Sequence, residues 1–259
     1  MIIMLTNFMI NFNGINMNNE KIDRLKRIIS DSNNIVFFGG AGVSTESGIR
    51  DFRGKNGLNK DNFPKSVEYY LSTRCFYYEP EEFFNFYKKN MNSLNARPNI
   101  AHGFLTKLEK NGKLKCIITQ NIDGLHEKAG SKNVLEIHGS IYRNYCVKCC
   151  KEYSAEYVFK SNGIPMCTCG GIIKPDVVLY GEMLNDNYVK AEYYVRNAEV
   201  LIVANTSLTV EPAASLIKNY SGKYLIIINK DKTQYDNLAN LVMNESLGNV
   251  IKNLNSLNL

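Results

Sequence analysis

The sequence predicts an α/β protein: a doubly wound parallel sheet that carries a smaller, metal-binding module. Three observations lead there. Short apolar, β-rich runs begin near positions 35, 115, 134, 177, 200 and 224, separated mostly by helical patterns. The first run ends in Gly39, Gly40 and Gly42, glycines of the kind that turn a strand into a phosphate-holding helix start. Cys146, Cys149, Cys167 and Cys169 lie in two close pairs at zinc-ribbon spacing.

Composition narrows the class. A chain of 259 residues allows one large domain, or a domain with an insert. It can bury roughly 75% of its unfolded surface, so it needs no disulfide staples. The net charge of +6 is modest and spread along the chain, which is no nucleic-acid footprint. Seven cysteines without a secretory signal imply a reducing compartment and a metal, hence a cytoplasmic protein. Residues 1–16 are apolar but hold no Lys or Arg, unlike a signal peptide, and are too short and polar to span a membrane. They read as an N-terminal extension, with Met17 as the natural start or residues 1–16 as a loosely held addition.

The elements follow in order. From Met17 the pattern is helical, with Ile22, Leu25, Ile28 and Ile29 on one face. Ile35 to Phe38 is a buried strand. Its glycines leave backbone N–H groups free for a phosphate, and a Cβ there would block a pyrophosphate. The full G-x-G-x-x-G spacing is absent because position 45 is Thr45, so a tight turn without ligand is an equal reading of these residues alone. Ser44, Thr45, Ser47 and Gly48 lead to Asp51-Phe52-Arg53, an aromatic between opposite charges in a polar run. The Gly/Asn-rich stretch after Arg53 is a loop placed to cover a cofactor. Residues 65–91 read as helical, with Pro80, Glu81 and Glu82 suited to a first turn. Phe83, Phe84, Phe86 and Tyr87 supply an apolar face, chiefly core. Pro98 opens a helix that Gly112 ends, and His102 on its apolar side reads as structural.

Residues 115–119 form a second strand, and Gln120, Asn121, Ile122 and Asp123 follow at once, where an open parallel sheet binds its ligands. Residues 134–137 end at His138-Gly139. A histidine at a strand's carboxyl end suits a catalytic base, since neutral imidazole accepts a proton near pH 7. His126 reads as helix packing or capping. Four thiolates would fill a tetrahedral shell and leave no open position, so the metal is structural. Cys169 is the preferred fourth ligand and Cys150 the alternative; Cys75 and Cys116 are buried bystanders. Val177 to Leu179 is a strand leading to Tyr180-Gly181-Glu182, whose edge could pair with a peptide or simply belong to the core. Residues 200–204 precede Asn205, Thr206 and Ser207, Glu211-Pro212 opens a helix, and 224–228 is the last strand, ending at Asn229. A final helix runs toward Leu254.

Several of these stretches together resemble the sirtuins, the NAD-dependent protein deacylases. Gly40 to Arg53, GAGVSTESGIRDFR, is close to that family's GAGxSxxSGIPDFR, with Arg50 where proline is commoner. TQNID at 119–123, His138-Gly139, the four cysteines and the segment through Tyr180-Gly181-Glu182 follow in the family's order. The resemblance covers essentially Met17 to Leu259 and implies a Rossmann-like NAD-binding domain over 17–54, 99–140 and 175–259. A helical insert (55–98) and a zinc ribbon (141–174) would form the small domain. It implies NAD as co-substrate, held by Gly40, Ala41, Gly42, Thr45, Asp51, Phe52, Arg53, Gln120, Asn121, Ile122, Asp123, Thr206, Ser207, Asn229, Ser246 and Leu247. His138, Asn121 and Asp123 would be catalytic. Val178, Tyr180, Gly181 and Glu182 would hold the acyl-lysine peptide, and Cys146, Cys149, Cys167 and Cys169 one structural Zn2+. The usual glycine at position 205 is Asn205 here, a residue that can still adopt positive φ.

The implied reaction removes acetyl, or another apolar acyl group, from protein lysine and releases nicotinamide and O-acyl-ADP-ribose. Family members that remove succinyl or malonyl groups carry a Tyr-x-x-Arg pair; the matching positions are Tyr87 and Asn90, so the bidentate partner of a carboxylate is missing. The expected partners are acyl-lysine proteins, with no membrane, no specific nucleic acid and a monomeric state. Mono-ADP-ribosyl transfer or longer-chain deacylation by the same NAD site is the alternative. An NAD-dependent dehydrogenase should carry an acid about 20 residues past the glycines at a strand end, and that region is a loop here. A zinc-ribbon nucleic-acid binder has only Lys148, Lys151 and Lys160 in its support.

Overall fold

The computed structural model describes residues 19–255, so the expectation about residues 1–16 and Met17 lies outside the described residues. Helix α1 (residues 19–31) buries Ile22, Leu25, Ile28 and Ile29. Strand β1 (Ile35–Gly39) follows and passes into a 3-10 turn over Ala41–Ser47. Then come α2 (Val67–Tyr70), α3 (Thr73–Tyr78), α4 (Pro80–Asn90), α5 (Ile100–Lys110), β2 (Leu114–Thr119), α6 (Leu125–Lys128) and β3 (Val134–Glu136). Strands β4 (Gly139–Cys146) and β5 (Glu152–Tyr153), helix α7 (Ala155–Lys160) and strand β6 (Ile173–Val177) form the middle of the chain. The remainder is α8 (Asn187–Asn197), β7 (Val200–Ala204), β8 (Tyr224–Ile228), β9 (Leu241–Met243) and α9 (Leu247–Asn255), with a 3-10 helix over Ala213–Asn219.

Six strands pair in parallel in the order β3-β2-β1-β7-β8-β9. Counted within this sheet alone, that is the 3-2-1-4-5-6 order of a dinucleotide-binding sheet, and the order reverses between β1 and β7. Both faces are covered, which is why its long strands read as continuous apolar runs. Ile35 and Phe37 enter one core with α1, α5 and α9, whereas Val36 and Phe38 enter the other with α8 and the 3-10 helix after Pro212. The expected α/β class holds.

Two strands stand elsewhere than the sequence suggests. The run at 177–179 is not in the large sheet. Only Val177 of it is in a strand, the last residue of β6, which pairs antiparallel with β4 in a second, three-stranded sheet of order β5-β4-β6, and Val178 and Leu179 lie beyond its end. Pro175 lacks an N–H and is tolerated because β6 is an edge strand. The sixth large-sheet strand is instead β9, a three-residue element too short to show a period. The second sheet packs with α2–α4 and α7 around a separate apolar cluster. Phe83, Phe84, Phe86 and Tyr87 are all buried there, so these aromatics are core. Tyr87 stacks between Phe83 and Phe159, and Asn90 bonds the carbonyl of Phe86 in its own helix.

The two sheets meet at His138-Gly139. Gly139 has φ of +76°, and a Cβ there would lie 1.9 Å from the carbonyl oxygen of Asp176. Only glycine lets β6 cross so closely, and the crossing lets Val178 donate its N–H to the carbonyl of His138 at 2.9 Å. Arg143 on β4 spans the junction, pairing with Glu136 of β3 at 2.6 Å and Asp176 of β6 at 2.7 Å.

Beneath the large sheet, His102 and His126 pack ring against ring, centroids 4.7 Å apart. His102 Nδ1 accepts the Asn99 N–H and closes the N-terminal cap of α5. Burial pushes His102 down to about 4 and His126 to about 3. Both values are depressed from the unfolded value of roughly 6.5, so the stability of these neutral rings is complete above that pH and falls as pH drops toward the folded values.

Urea unfolding at pH 5 should therefore give a free energy lower than at pH 7.5 by on the order of 2 kcal/mol per ring. Equal midpoints at the two pH values would contradict this. Gly139→Ala should cost about 3 kcal/mol or more. Gly163→Ala, at φ +62° but with open space around its Cβ, should cost only about 1 kcal/mol by the same melts.

Candidate active site

The cleft lies where the strand order reverses, beyond the carboxyl ends of β1 and β7, which stand level at Gly39 and Ala204. The loops leaving these strands bind each other. Gly40 N–H donates to Ala204 O at 3.3 Å, Gly42 N–H to Asn205 O at 3.1 Å, and Asn205 Nδ2 returns a bond to Gly42 O at 2.9 Å. A Cβ on Gly40 would fall 2.7 Å from Thr206 Cβ, and one on Gly42 would fall 2.9 Å from Asn205 Cβ. The glycines are thus required already by packing of protein against protein, where the sequence suggested only the approach of a pyrophosphate. Asn205 takes the positive φ expected of it, +52°.

The segment after β2 threads between these loops. Gln120 donates its N–H to Gly39 O and its Nε2–H to Thr206 Oγ1, both at 3.0 Å. Asn121 Nδ2 donates to Ser44 Oγ at 3.0 Å, and Ser44 donates to Asp123 Oδ2 at 2.6 Å. Leu125 N–H holds the other oxygen, Oδ1, at 3.0 Å. Asn121, Ser44 and Asp123 are all buried. Burial raises the Asp123 carboxyl above its ordinary value, while the bonds from Ser44 and Leu125 pull against that rise. Ser44 was not among the expected site residues. Its run is polar, and only the fold reveals a buried hydroxyl linking two of the expected catalytic side chains.

His138 hangs over the same segment. Its Nδ1 meets the carbonyl oxygen of Gln120 at 2.9 Å. A carbonyl can only accept, so in the neutral ring the proton sits on Nδ1 and Nε2 keeps its lone pair. Burial lowers the imidazole below its ordinary value, with the Gln120 bond partly opposing. The ring is therefore a neutral base near pH 7.

The remaining expected residues are placed as follows. Ala41 and Thr45 lie in the 3-10 turn, where Thr45 Oγ1 bonds Gly42 O. Asp51 accepts the N–H of Gly54, Phe52 is half-buried against the second sheet's cluster, and Arg53 lies 3.9 Å from Glu68. Ile122 packs toward that same cluster, and its carbonyl accepts the N–H of Ile141. Ser207 bonds Thr209, and Asn229 stands at the end of β8 with its amide on Asp231 O. Ser246 accepts the N–H of Asn249 at the start of α9. Leu247 is buried in the first core. Val178 and Tyr180 flank the buried Leu179, and Tyr180 bridges in parallel to Ser72. Gly181 has φ of +97°. The Glu182 carboxylate turns inward, onto Leu179 N–H at 2.8 Å and the buried ammonium of Lys174 at 3.2 Å. Lys174 also donates to the carbonyls of Pro175 and Val177.

Away from the cleft, the Sγ atoms of Cys146, Cys149, Cys167 and Cys169 lie within 4.8 Å of one another. Cys146 and Cys169 approach to 3.5 Å, Cys149 and Cys167 to 3.6 Å. A tetrahedral ion with Zn–S bonds of about 2.3 Å needs sulfurs roughly 3.8 Å apart, so the set fits one closed, structural Zn2+. Cys150 is exposed, has φ of +59° and is outside the cluster, which decides the fourth ligand in favour of Cys169.

Residues 40–212 match the profile of the Sir2 family. An NAD-dependent protein deacetylase of Clostridium perfringens is 56% identical over 237 residues, covering 90% of this chain and 97% of that protein. One from Cutibacterium acnes is 44% identical, covering 88% and 95%. Among solved structures, a Sir2 complex with p53 peptide and NAD+ superposes with a TM-score of 0.81 at 37% identity, covering 90% of this chain and 96% of that one. A Sir2 variant with deacetylated p53 peptide and 3'-O-acetyl ADP ribose gives 0.85 at 36% identity, covering 92% and 98%.

The purified protein should contain one zinc per chain by elemental analysis. Cys167→Ser should lose the metal and lower the melting temperature by several degrees or more, whereas Cys150→Ser should keep both. Loss of zinc in the Cys150 variant would reverse the ligand assignment.

Proposed function

This chain belongs to the Sir2 family, and from that membership we propose that the cleft between β1 and β7 deacetylates protein lysine at the expense of NAD, with His138 as its base. The protein is an NAD-dependent protein deacetylase. The observation that carries His138 is its geometry: Nδ1 fixed on Gln120 O, Nε2 free, and the ring kept neutral by burial.

When bound, NAD supplies a ribose carbon from which nicotinamide departs and a ribose hydroxyl that takes up the acyl group. The residues act around that chemistry. Gly40 and Gly42 leave room for a pyrophosphate beside Thr206 and Ser207, and Asn229 stands where an adenosine ribose would lie. Asn121 and Asp123, tied through Ser44, hold the carboxamide and the reacting ribose in one orientation. A buried carboxyl with raised pKa can offer a proton or accept an amide N–H, which suits a carboxamide that has both donor and acceptor. His138 Nε2 takes the proton of a ribose hydroxyl as that oxygen attacks the acyl carbon. Val178, Tyr180 and Gly181 line the peptide's path, while Glu182 acts from behind through Lys174. The balanced outcome consumes acetyl-lysine, NAD and one water, and yields lysine, nicotinamide and O-acetyl-ADP-ribose.

The division of labour follows the chain. We assign residues 17–54, 99–140 and 175–259 to NAD and the two inserts, 55–98 and 141–174, to substrate entry. No described helix is long and apolar enough to cross a membrane. We assign the reaction to the cytoplasm, because seven cysteines, four of them gathered as metal ligands, suit a reducing compartment. A monomer with no specific nucleic-acid partner completes the reading.

An assay with NAD and an acetyl-lysine peptide should release nicotinamide and free-lysine peptide one for one, and His138→Ala should lose about 10³-fold or more in rate. Nicotinamide release without deacetylation would instead favour ADP-ribosyl transfer. Because burial lowers the His138 pKa, kcat/KM should fall on the acid side only below about pH 6.5; an acid limb above pH 7 would contradict the assignment. With Asn90 in place of a cation and Tyr87 buried, kcat/KM on succinyl-lysine should stay below that on acetyl-lysine.

A further inference from the structure

Arg50, the one departure within the Gly40–Arg53 motif, does more than fill a loop position. Its guanidinium makes four hydrogen bonds to the segment that follows. Nη1 and Nη2 grip Asp61 Oδ2 and Oδ1 at 2.8 and 2.7 Å. Nε donates to Asn56 O at 3.0 Å and Nη2 to Gly57 O at 3.3 Å. The segment is thereby folded back on Asp51-Phe52-Arg53. Leu58 N–H donates to Asp51 O at 2.8 Å and Asn59 N–H to Phe52 O at 2.9 Å. The return is so close that a Cβ on Gly57 would sit 2.6 Å from Phe52 backbone atoms. Leu58 is buried in the second sheet's cluster and plugs the strap in place. Asn59 Nδ2 bonds Glu68 Oε1, the same oxygen that Arg53 approaches.

We propose that Arg50 is a positioning residue for NAD: by clamping Asn56, Gly57 and Asp61 it holds the strap carrying Phe52 and Arg53 in a binding-ready form before the cofactor arrives. This rests on the reading of the cleft as an NAD site. A preformed strap spares NAD the entropy of ordering about ten residues, and that difference appears in binding, with the chemical step untouched. The planar fork matters, since two carboxylate oxygens and two carbonyls are engaged at once, a geometry that an ammonium cannot match.

The test compares the wild-type chain with Arg50→Ala, Arg50→Lys and Asp61→Asn, by calorimetric titration of NAD, hydrogen exchange and steady-state kinetics. Arg50→Ala should weaken NAD binding and raise KM for NAD by about tenfold, the factor expected when roughly 1.4 kcal/mol of preorganisation is lost. Arg50→Lys should recover only a minor part of this. The KM for acetyl-peptide and kcat at saturating NAD should stay within about twofold. The amides of Leu58 and Asn59 should exchange markedly faster. Asp61→Asn is the decisive variant. Removing a negative charge near an anionic cofactor should tighten binding if bulk electrostatics governed, but loss of the clamp should weaken it. Tighter or unchanged binding in Asp61→Asn, or faster amide exchange with unchanged NAD affinity, would overturn the proposal. If the wild-type chain bound no NAD at all, the NAD reading of the cleft would fail first, while the exchange data would still show whether Arg50 holds the strap.

Discussion

Between the ends of β1 and β7 two loops pass so closely that neither tolerates a side chain on the facing glycines, and the rest of the cleft is hung from that contact. Gly40 and Gly42 lie against Asn205 and Thr206. Gln120 bonds both loops, through Gly39 O and Thr206 Oγ1, and its own carbonyl then fixes the imidazole of His138. That imidazole is thus oriented by a chain of three contacts that begins with glycine packing. A shift of the β7 loop would reach the histidine ring without touching it directly. Polar groups at the carboxyl ends of parallel strands are common ligand positions, but here they are also cross-braced, which limits how far any one can relax.

Much of this was legible in the sequence, for reasons that can be stated residue by residue. Strands buried on both faces give long apolar runs, so β1, β2, β7 and β8 were found where they are. The run at 134 marked β3, but the run at 177–179 meets β6 only at Val177, and a run does not say which sheet receives it: β6 belongs to the second one. β4, with Tyr142, Arg143 and Asn144 at its centre, carried no apolar run at all, and β9 was too short. Ser44 was missed because a hydroxyl in a polar loop has no signature of burial until the loop folds under Asn121 and Asp123. Spacing left Cys150 open as a ligand, and the backbone turned it away at positive φ.

Electrostatics at the cleft and at the sheet junction follow opposite designs. Asp123 is buried, which raises its carboxyl above the ordinary value, while a serine hydroxyl and a backbone N–H donate to it and oppose that rise. Arg143 is half-exposed and pairs with two acids that come from different sheets, Glu136 and Asp176. The first arrangement sets burial against hydrogen bonding on one buried carboxyl. The second fixes geometry between β3, β4 and β6 at the place where His138 and Val178 meet.

The turned-in carboxylate of Glu182 constrains how this chain can diverge. Lys174 is buried and its ammonium has Glu182 as its acidic partner, with two carbonyls taking the remaining protons. Removing the Glu182 carboxylate alone would strand the Lys174 charge away from water, a loss of about 3–5 kcal/mol, whereas Glu182 is partly exposed and keeps access to water if Lys174 is lost. Relatives that replace Glu182 should therefore keep an acid there, or change both positions together. The fold itself asks less of the more exposed Val178 and Tyr180 than of the carboxylate held behind them.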